Sequence, residues 1–361
     1  MVKIILKNKL RFNILLLILA ISIIAALFIY FDAFLNYFHT SFLETEPAGF
    51  NPALLSWQQV TSTIAWQARD SHALVEHQDK MWLIGGLNAN GYVIGANQVE
   101  YWRAPHFSDV WSSADGINWD LVTENAAFGK RRSNQAVSFL EKIWLIPGWG
   151  PVEGLKAEVW SSTNGQDWKK EVAKAPWPVR EGHELIVFQN KLWLIGGVDY
   201  DSRKTMNDVW SSADGINWEQ VVFTAPWSGR WDHEVAVFKD KLWLIGGMDL
   251  DDNVFSDVWS SVDGINWELV TNTPPWQTRQ GHEAVVFNDI IWILGRFNDE
   301  YNGGENDVWY STDGFVWKKT NENPEWLGRE DQAAIVFKNK IWLTGGMDKN
   351  WTWNNEIWYS N

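Results

Sequence analysis

Two columns of polar side chains recur along this chain, and both consist of residue types that can bind charged ligands. An arginine stands thirteen residues before a recurring tryptophan, at Arg69, Arg131, Arg180, Arg230, Arg279 and Arg329. A histidine or an amide follows three residues later, at His72, Asn134, His183, His233, His282 and Gln332. Because a guanidinium group can hold a carboxylate through two parallel hydrogen bonds, the arginines are candidates for binding an anion or an acidic sugar. The imidazoles are candidate metal ligands.

Both columns also have a structural interpretation, which their regularity favours. An asymmetric ligand needs two or three groups, whereas every copy carries the arginine, so we expect each arginine to pair with a carboxylate or carbonyl of a neighbouring unit. The histidines stand in separate copies without the local spacing of a metal site. We therefore expect hydrogen-bonded structural histidines and predict neither a metal nor a cofactor. The alternative, in which His183, His233 and His282 join the arginines in a ligand site, stays open.

Acidic residues follow three of the histidines, at Glu184, Glu234 and Glu283. With raised pKa values these carboxyl groups could act as general acids or bases. Because successive residues of a strand face opposite sides, each glutamate should face away from the histidine before it. We expect the glutamates to pair with the arginines of adjacent copies.

Aromatic residues outside the repeated columns differ from copy to copy and form a second set of candidates. The first copy has a long loop, residues 87–108, that contains Trp102 and Arg103. Other copies carry further members of this set at Trp149, Tyr200, Trp231, Tyr301, Trp351 and Trp353. Flat apolar faces beside carboxylates and arginines suit sugar rings and their hydroxyl groups. The loops are therefore a candidate sugar-binding surface, and solvated loops with incidental packing aromatics are the alternative.

The tryptophans define the elements that must position these side chains. Most of the 28 tryptophans fall into columns that repeat about every 50 residues, and one column is Trp82, Trp144, Trp193, Trp243, Trp292 and Trp342. Alternating apolar runs and an Asp-Gly turn predict four antiparallel strands in each copy, at residues 184–188, 192–195, 208–211 and 218–222 of the third. A sheet with two apolar faces must pack between neighbours, so six copies should close into a ring. The segment at Trp57 matches the outer strand that the last copy lacks, and it should supply that strand.

Glycine pairs end a strand in four of the copies, at Gly85–Gly86, Gly196–Gly197, Gly246–Gly247 and Gly345–Gly346, each with an aromatic residue three positions before the pair. With these motifs in register, residues 57–361 resemble the kelch-repeat family, which includes the central domain of galactose oxidase. Pro147–Gly148 and Gly295–Arg296 depart from the motif. The resemblance implies an all-β, six-bladed propeller of four-stranded antiparallel blades. It also implies that the arginine segments and the variable loops lie at one mouth of the central channel.

The N-terminal segment predicts a membrane anchor. Residues 1–12 are basic, and residues 14–31 contain no charged side chain, which is long enough for a helix to cross a bilayer. We expect a cytoplasmic segment at 1–12, a transmembrane signal-anchor helix at 13–32, a tether at 33–56 and the propeller at 57–361. The positive flank places the N-terminus in the cytoplasm and the propeller outside it, in the periplasm or at the cell surface. A cleaved secretory signal is the alternative.

Composition narrows the classes of function. The formal charge of −15 disfavours nucleic acid as a partner, and the absence of cysteine excludes thiolate metal sites and the cross-linked cysteine of the copper oxidases that the resemblance includes. We expect a monomeric, non-catalytic propeller that binds a glycan, an envelope component or a protein through its variable loops. The alternative is an enzyme similar to the sialic-acid epimerases of the same family, acting on an acidic sugar.

Overall fold

The structure, a computed structural model, describes residues 50–61, 63–95, 98–296 and 305–361. The chain divides into two compact units, Met1–Phe50 and Asn51–Asn361. The predicted cytoplasmic segment and membrane helix, and most of the tether, lie outside the described residues. Within the described ranges, no helix is long and apolar enough to cross a membrane. These ranges contain one 3-10 turn, Pro52–Leu54, ahead of the strands.

The strands of the second unit follow one another in chain order. The first half contains β1 (Trp57–Gln59), β2 (Ala73–His77), β3 (Lys80–Leu87), β4 (Val93–Gly95), β5 (Gln98–Val99), β6 (His106–Ser113), β7 (Asp120–Thr123), β8 (Gln135–Phe139), β9 (Lys142–Ile146), β10 (Val159–Ser162), β11 (Lys169–Val172), β12 (Glu184–Phe188), β13 (Lys191–Ile195), β14 (Val198–Asp199) and β15 (Lys204–Thr205). The second half contains β16 (Val209–Ser212), β17 (Glu219–Val222), β18 (Glu234–Phe238), β19 (Lys241–Ile245), β20 (Val258–Ser261), β21 (Glu268–Thr271), β22 (Glu283–Phe287), β23 (Ile290–Arg296), β24 (Glu305–Ser311), β25 (Lys318–Lys319), β26 (Arg329–Glu330), β27 (Ala333–Phe337), β28 (Lys340–Thr344), β29 (Met347–Asp348) and β30 (Ile357–Ser360).

These strands form six four-stranded antiparallel blades within the described residues. From the innermost strand outward, the blades are β2-β3-β6-β7, β8-β9-β10-β11, β12-β13-β16-β17, β18-β19-β20-β21, β22-β23-β24-β25 and β27-β28-β30-β1. The innermost strands contact one another in the cyclic order β2, β8, β12, β18, β22 and β27, and β27 returns to β2. The predicted six-bladed propeller is therefore confirmed, and the four strands of the third blade lie within one residue of their predicted positions.

The ring closes through the strand that precedes the first blade. Strand β1 pairs antiparallel with β30, with Trp57 opposite Ser360 and Gln59 opposite Trp358. The last blade therefore takes its outer strand from the start of the propeller, as the sequence predicts. Joining the two ends of the chain in one sheet removes an unpaired strand edge at the point of closure.

The repeated tryptophans pack between blades. Trp144 of the second blade lies in a cluster with Leu185, Leu192 and Leu194 of the third, and its indole nitrogen donates to the carbonyl of Phe139 at 2.8 Å. A Cβ atom at Gly215, in the Asp-Gly turn of the third blade, would overlap the Trp144 ring. Glycine is needed there for this close approach and for its φ of +75°. The repeated turn thus fixes how one blade sits against the next.

Candidate ligand-binding pocket

The six arginines of the repeated column lie inside the blades. Each is at most 3% exposed, and each pairs with a carboxylate of its own blade. The pairs are Arg69–Asp109, Arg131–Glu153, Arg180–Asp208, Arg230–Asp257, Arg279–Asp307 and Arg329–Glu356. Arg180 shows the usual geometry, with Nη1 and Nη2 donating to the two carboxylate oxygens of Asp208 at 2.7 and 2.9 Å. Nη1 also donates to the carbonyl of Gly196 at 2.7 Å. The expected partner on a neighbouring blade is thus replaced by one on the same blade, because the loop into the innermost strand packs over its own sheet.

The histidine column lines the central channel. His72, His183, His233 and His282 are all at most 5% exposed, and Asn134 and Gln332 complete the ring. Burial and the adjacent Arg69 lower the pKa of His72 to about 3, and burial with Arg180 lowers that of His183 to about 3. The imidazoles are therefore neutral at physiological pH. In the described part of the chain, no group of three or more histidine, aspartate or glutamate side chains is arranged to hold a metal ion.

The glutamates that follow the histidines also line the channel, and the expected pairing with arginines is wrong. Glu184 accepts from the side-chain nitrogen of Gln135 at 2.9 Å, and Glu234 accepts from the backbone nitrogen of Ala284 at 3.2 Å. The arginines cannot serve as partners because they already hold carboxylates inside the blades. Burial raises the pKa of Glu234 to about 8, and burial with repulsion from Glu234 raises that of Glu283. The channel is therefore lined by acidic groups that resist ionisation.

A collar of six residues, one from each blade, surrounds the mouth of the channel and is linked by backbone hydrogen bonds. One residue from each blade, two positions after the arginine, has a left-handed φ between +49° and +59°: Ser71, Ser133, Gly182, Asp232, Gly281 and Asp331. Five of the six successive pairs are joined across blades, for example from the nitrogen of Ser71 to the carbonyl of Asp331 at 2.9 Å and from that of Asp331 to Gly281 at 3.1 Å. A left-handed conformation costs a residue other than glycine about 1–2 kcal/mol. The four members other than glycine therefore adopt an unfavourable backbone conformation that keeps their side chains at the mouth.

A cavity of about 610 Å³ opens at this collar. Ser71, Ser133, Asp232 and Asp331 line both the cavity and the channel, so the collar joins the two. The volume lies within the range that small-molecule sites occupy, about 300–1,000 Å³. Among the described residues, six aromatic side chains line this pocket: Tyr101, Trp102, Trp149, Tyr200, Trp231 and Trp351.

Five of the eight predicted loop residues therefore meet in one pocket, and two of the other described ones, Arg103 and Trp353, do not line it. Arg103 is exposed and pairs with Glu100 at 2.7 Å. Trp353 is 2% exposed and packs behind the wall against Tyr101, with the ring centroids 6.4 Å apart. Tyr301 lies outside the described residues. These loop aromatics thus line a cavity rather than an open surface, with Trp353 in a supporting position.

The polar part of the pocket consists mainly of acidic side chains. Its five acidic residues, against the single basic Arg132, are Asp70, Glu181, Asp232, Glu330 and Asp331. Burial and repulsion from Asp331 raise the pKa of Asp70, and burial with repulsion from Asp331 and Glu181 raises that of Asp232. Burial also raises the pKa of Tyr101 and of Tyr200. Both phenols are therefore neutral hydrogen-bonding groups at physiological pH.

Arg132 is held rigidly by the pocket wall. Its Nη2 and Nε donate to the two carboxylate oxygens of Glu181 at 2.8 and 3.2 Å, across the boundary between two blades. The guanidinium carbon also lies 5.0 Å from the ring centroid of Tyr101 and 5.7 Å from that of Trp149. Although burial opposes it, the charge of Glu181 raises the pKa of Arg132, which remains a cation. Its charge is matched by Glu181 and its faces are occupied by aromatic rings.

Apart from Trp231, the residues at the mouth that the sequence analysis missed share two adjacent positions in the repeat. They are the two residues between the repeated arginine and the histidine or amide: Asp70–Ser71, Arg132–Ser133, Glu181–Gly182, Trp231–Asp232, Gln280–Gly281 and Glu330–Asp331. These dipeptides vary from copy to copy while the residues on either side of them repeat. That contrast was visible in the sequence and marks the mouth of the channel, although only Trp231 was singled out there.

Comparisons with known proteins agree with this architecture. A family described as the KLHDC2/KLHL20/DRC7 Kelch-repeats domain matches residues 133–346, more than half of the chain. A solved structure titled "Structure of YjhT" is similar in fold, with a TM-score of 0.62 at 16% sequence identity over 81% of this chain and 94% of that one. No curated protein matches the sequence. The match over residues 133–346 shows that the chain belongs to the KLHDC2/KLHL20/DRC7 kelch-repeat domain family.

Proposed function

We propose that the propeller is a non-catalytic binding module whose pocket holds a glycan. The observation that carries this proposal is the pocket itself, in which six aromatic side chains surround carboxylates and the amide of Gln280. Aromatic faces pack against the apolar face of a sugar ring, and fixed acceptors bind its hydroxyl groups. The blades supply a rigid frame, and the variable residues are gathered at one mouth, which is the arrangement expected of a recognition surface.

The proposal is tested by calorimetric titration of the chain with a panel of neutral, acidic and amino oligosaccharides. The informative variant is Trp102→Ala, because Trp102 lines the pocket and is 61% exposed, so its removal leaves no internal cavity. The matched control is Phe223→Ala, which removes an aromatic ring that is 76% exposed and is not among the pocket residues. We expect Trp102→Ala to weaken binding by about tenfold, a typical loss for an aromatic contact residue, and Phe223→Ala to leave it unchanged. Binding that withstands Trp102→Ala, or no binding by any member of the panel, would contradict the proposal.

An enzyme acting on an acidic sugar is the second candidate, and one observation favours it. Arg132, Glu181, Tyr101 and Tyr200 meet in the pocket wall, which brings a cation, a carboxylate and two phenols together. Against it, Arg132 is already paired, and the five carboxylic residues of the pocket would repel an anionic substrate. Proton NMR of the anomers of sialic acid decides between the two, because a catalyst would accelerate their exchange and a binding module would not.

The location of the module is also a proposal, supported by the charge pattern of residues 1–32. We expect the chain to be anchored by one helix with its propeller outside the cytoplasm. Extraction of membranes with alkaline carbonate should leave the protein in the pellet, and its release into the supernatant would contradict an uncleaved anchor.

A further inference from the structure

We propose that the pocket recognises the protonated amine of an amino sugar. This inference rests on the proposed glycan-binding function and adds the class of sugar to it.

The charges of the pocket leave three carboxyl groups without a cation. Arg132 is matched by Glu181 through two hydrogen bonds. Among the described residues, none forms an ion pair with Asp70, Asp232 or Asp331. The hydroxyl group of Ser71 donates to Asp331 at 3.1 Å and brings no positive charge. The cavity therefore has a place for a positive charge beside these three groups and none for a further negative one.

Unpaired atoms in the wall point to a hydrogen-bond donor on the ligand. Asp70 is 3% exposed, and its Oδ1 atom has no hydrogen-bond partner in the described structure. The Oε1 atom of Gln280, a side chain that is 8% exposed, is unpaired as well. An ammonium group carries three donors and no acceptor, so it complements such a wall. Trp231 Nε1 is an unpaired donor, and it suits a hydroxyl group of the same sugar.

Aromatic faces supply the second attraction for a cation. Two of the rings, Tyr101 and Trp149, are already occupied by Arg132. Trp231 meets Tyr200 edge to face, with centroids 5.6 Å apart and planes at 79°, so this contact covers at most one face of the Trp231 ring. Trp102 is 61% exposed and makes no ring contact of this kind among the described residues. Trp102 and Trp231 can therefore receive a sugar ring or its ammonium group, which aromatic faces attract.

The surroundings of the carboxyl groups support the same ligand. Burial raises the pKa of Asp70, Asp232 and Asp331, and Arg132 opposes this only in part. Repulsion from Asp331 adds to the rise at the first two, and repulsion from Glu181 adds to it at Asp331. A bound ammonium group would relieve that repulsion. The acidic residues of the pocket outnumber its single basic residue, which favours a cationic ligand over an acidic sugar.

The test compares two tetrasaccharides that differ only at nitrogen, the β-1,4-linked tetramer of N-acetylglucosamine and the same tetramer after complete de-N-acetylation. Affinities for the whole chain in detergent are measured by calorimetry at about neutral pH, where a large share of the amines carries a proton. We expect the de-N-acetylated tetramer to bind at least about tenfold more tightly, as one cation in an aromatic, carboxylate-lined site would give. Its affinity should fall as salt is added, and that of the acetylated tetramer should not.

A matched pair of variants locates the charge that is responsible. Asp232→Asn keeps a side chain that tolerates the left-handed backbone of the collar, where φ is +49°. Asp120→Asn removes the same charge from an exposed position on outer strand β7. We expect the first variant to abolish most of the preference for the amine and the second to retain it.

The outcomes separate this inference from the proposal beneath it. Equal affinities, or a preference for the acetylated tetramer, would overturn the amine inference and leave glycan binding standing. The inference also fails if Asp120→Asn reduces the preference as much as Asp232→Asn does, because the whole net charge would then be responsible. If neither tetramer binds and no other member of the panel binds, both proposals fail.

Discussion

The ion pair between Arg180 and Asp208 gives the sharpest test of the structural role of the arginine column. Replacing Asp208 with alanine leaves the guanidinium group buried, with Arg180 only 1% exposed, and it also removes the acceptor of the Trp210 indole nitrogen at 2.8 Å. Breaking a buried pair from one side typically costs about 3–5 kcal/mol. We therefore expect Asp208→Ala to lower the free energy of unfolding by about that amount, since only the carbonyls of Gly196 and Pro178 still accept from the guanidinium group.

The measurement is denaturant unfolding followed by circular dichroism, with an exposed ion pair as the control. In that pair, Arg103 is 63% exposed and bonds Glu100 at 2.7 Å. Because solvent screens exposed pairs, Glu100→Ala should cost less than about 1 kcal/mol. Binding of a glycan should survive in whatever fraction of Asp208→Ala remains folded. The reasoning is refuted if Asp208→Ala costs no more than Glu100→Ala, or if it abolishes binding while the fold stays intact.

Three further predictions concern packing, closure and the channel. Gly215→Ala should destabilise the fold by about 2 kcal/mol or more, because the new Cβ would overlap Trp144 and the backbone at this position has a positive φ. At Gly154 the φ is also positive but the space is open, so Gly154→Ala should cost only about 1 kcal/mol. Thermal melts of the two variants compare these costs. Trp57→Ala should lower the melting temperature more than Phe223→Ala does, because Trp57 packs edge-on against Trp326 at 6.0 Å in the strand that closes the ring, and equal melting temperatures would argue against closure by β1. Glu234→Gln should stabilise the protein at pH 8 but not at about pH 4. The folded state holds the Glu234 proton up to about pH 8, whereas the unfolded chain releases it near about pH 4. Folding of the protein with Glu234 therefore becomes less favourable as pH rises between these values, and the glutamine removes that loss. Since Glu234 faces the channel and is only half-buried, the gain at pH 8 should be about 1 kcal/mol, and melts at the two pH values measure it.

The fold could be predicted from the sequence because its determinants are local and repeated. Trp144 and Gly215 belong to columns whose spacing sets the length of a blade, and Trp57 belongs to a column whose last member is missing. The sequence could also have predicted most carboxylate partners of the arginines, since Asp208 and its equivalents directly precede the repeated Val-Trp pair in four blades. Their geometry depends on how the loop folds over its own sheet, which spacing alone does not specify.

The site was harder to predict because it depends on backbone conformation at single residues. Trp351 and Trp353 are two positions apart, and a regular strand would place both on one side. Trp351 instead has a φ of +56°, so it reaches the pocket while Trp353 packs behind the wall. Likewise, the left-handed collar directs Asp232 and Asp331 to the mouth. No periodicity in the sequence indicates such turns, so the gathering of these acidic residues in one pocket emerged only from the structure.

A crystal structure of the protein with a bound tetrasaccharide tests the central claim most directly. We predict sugar density in the cavity at the collar, with a ring against Trp102 or Trp231 and a polar group at Asp232. Density on the outer strands, at the opposite end of the channel, or against the buried arginines of the repeated column would contradict the account.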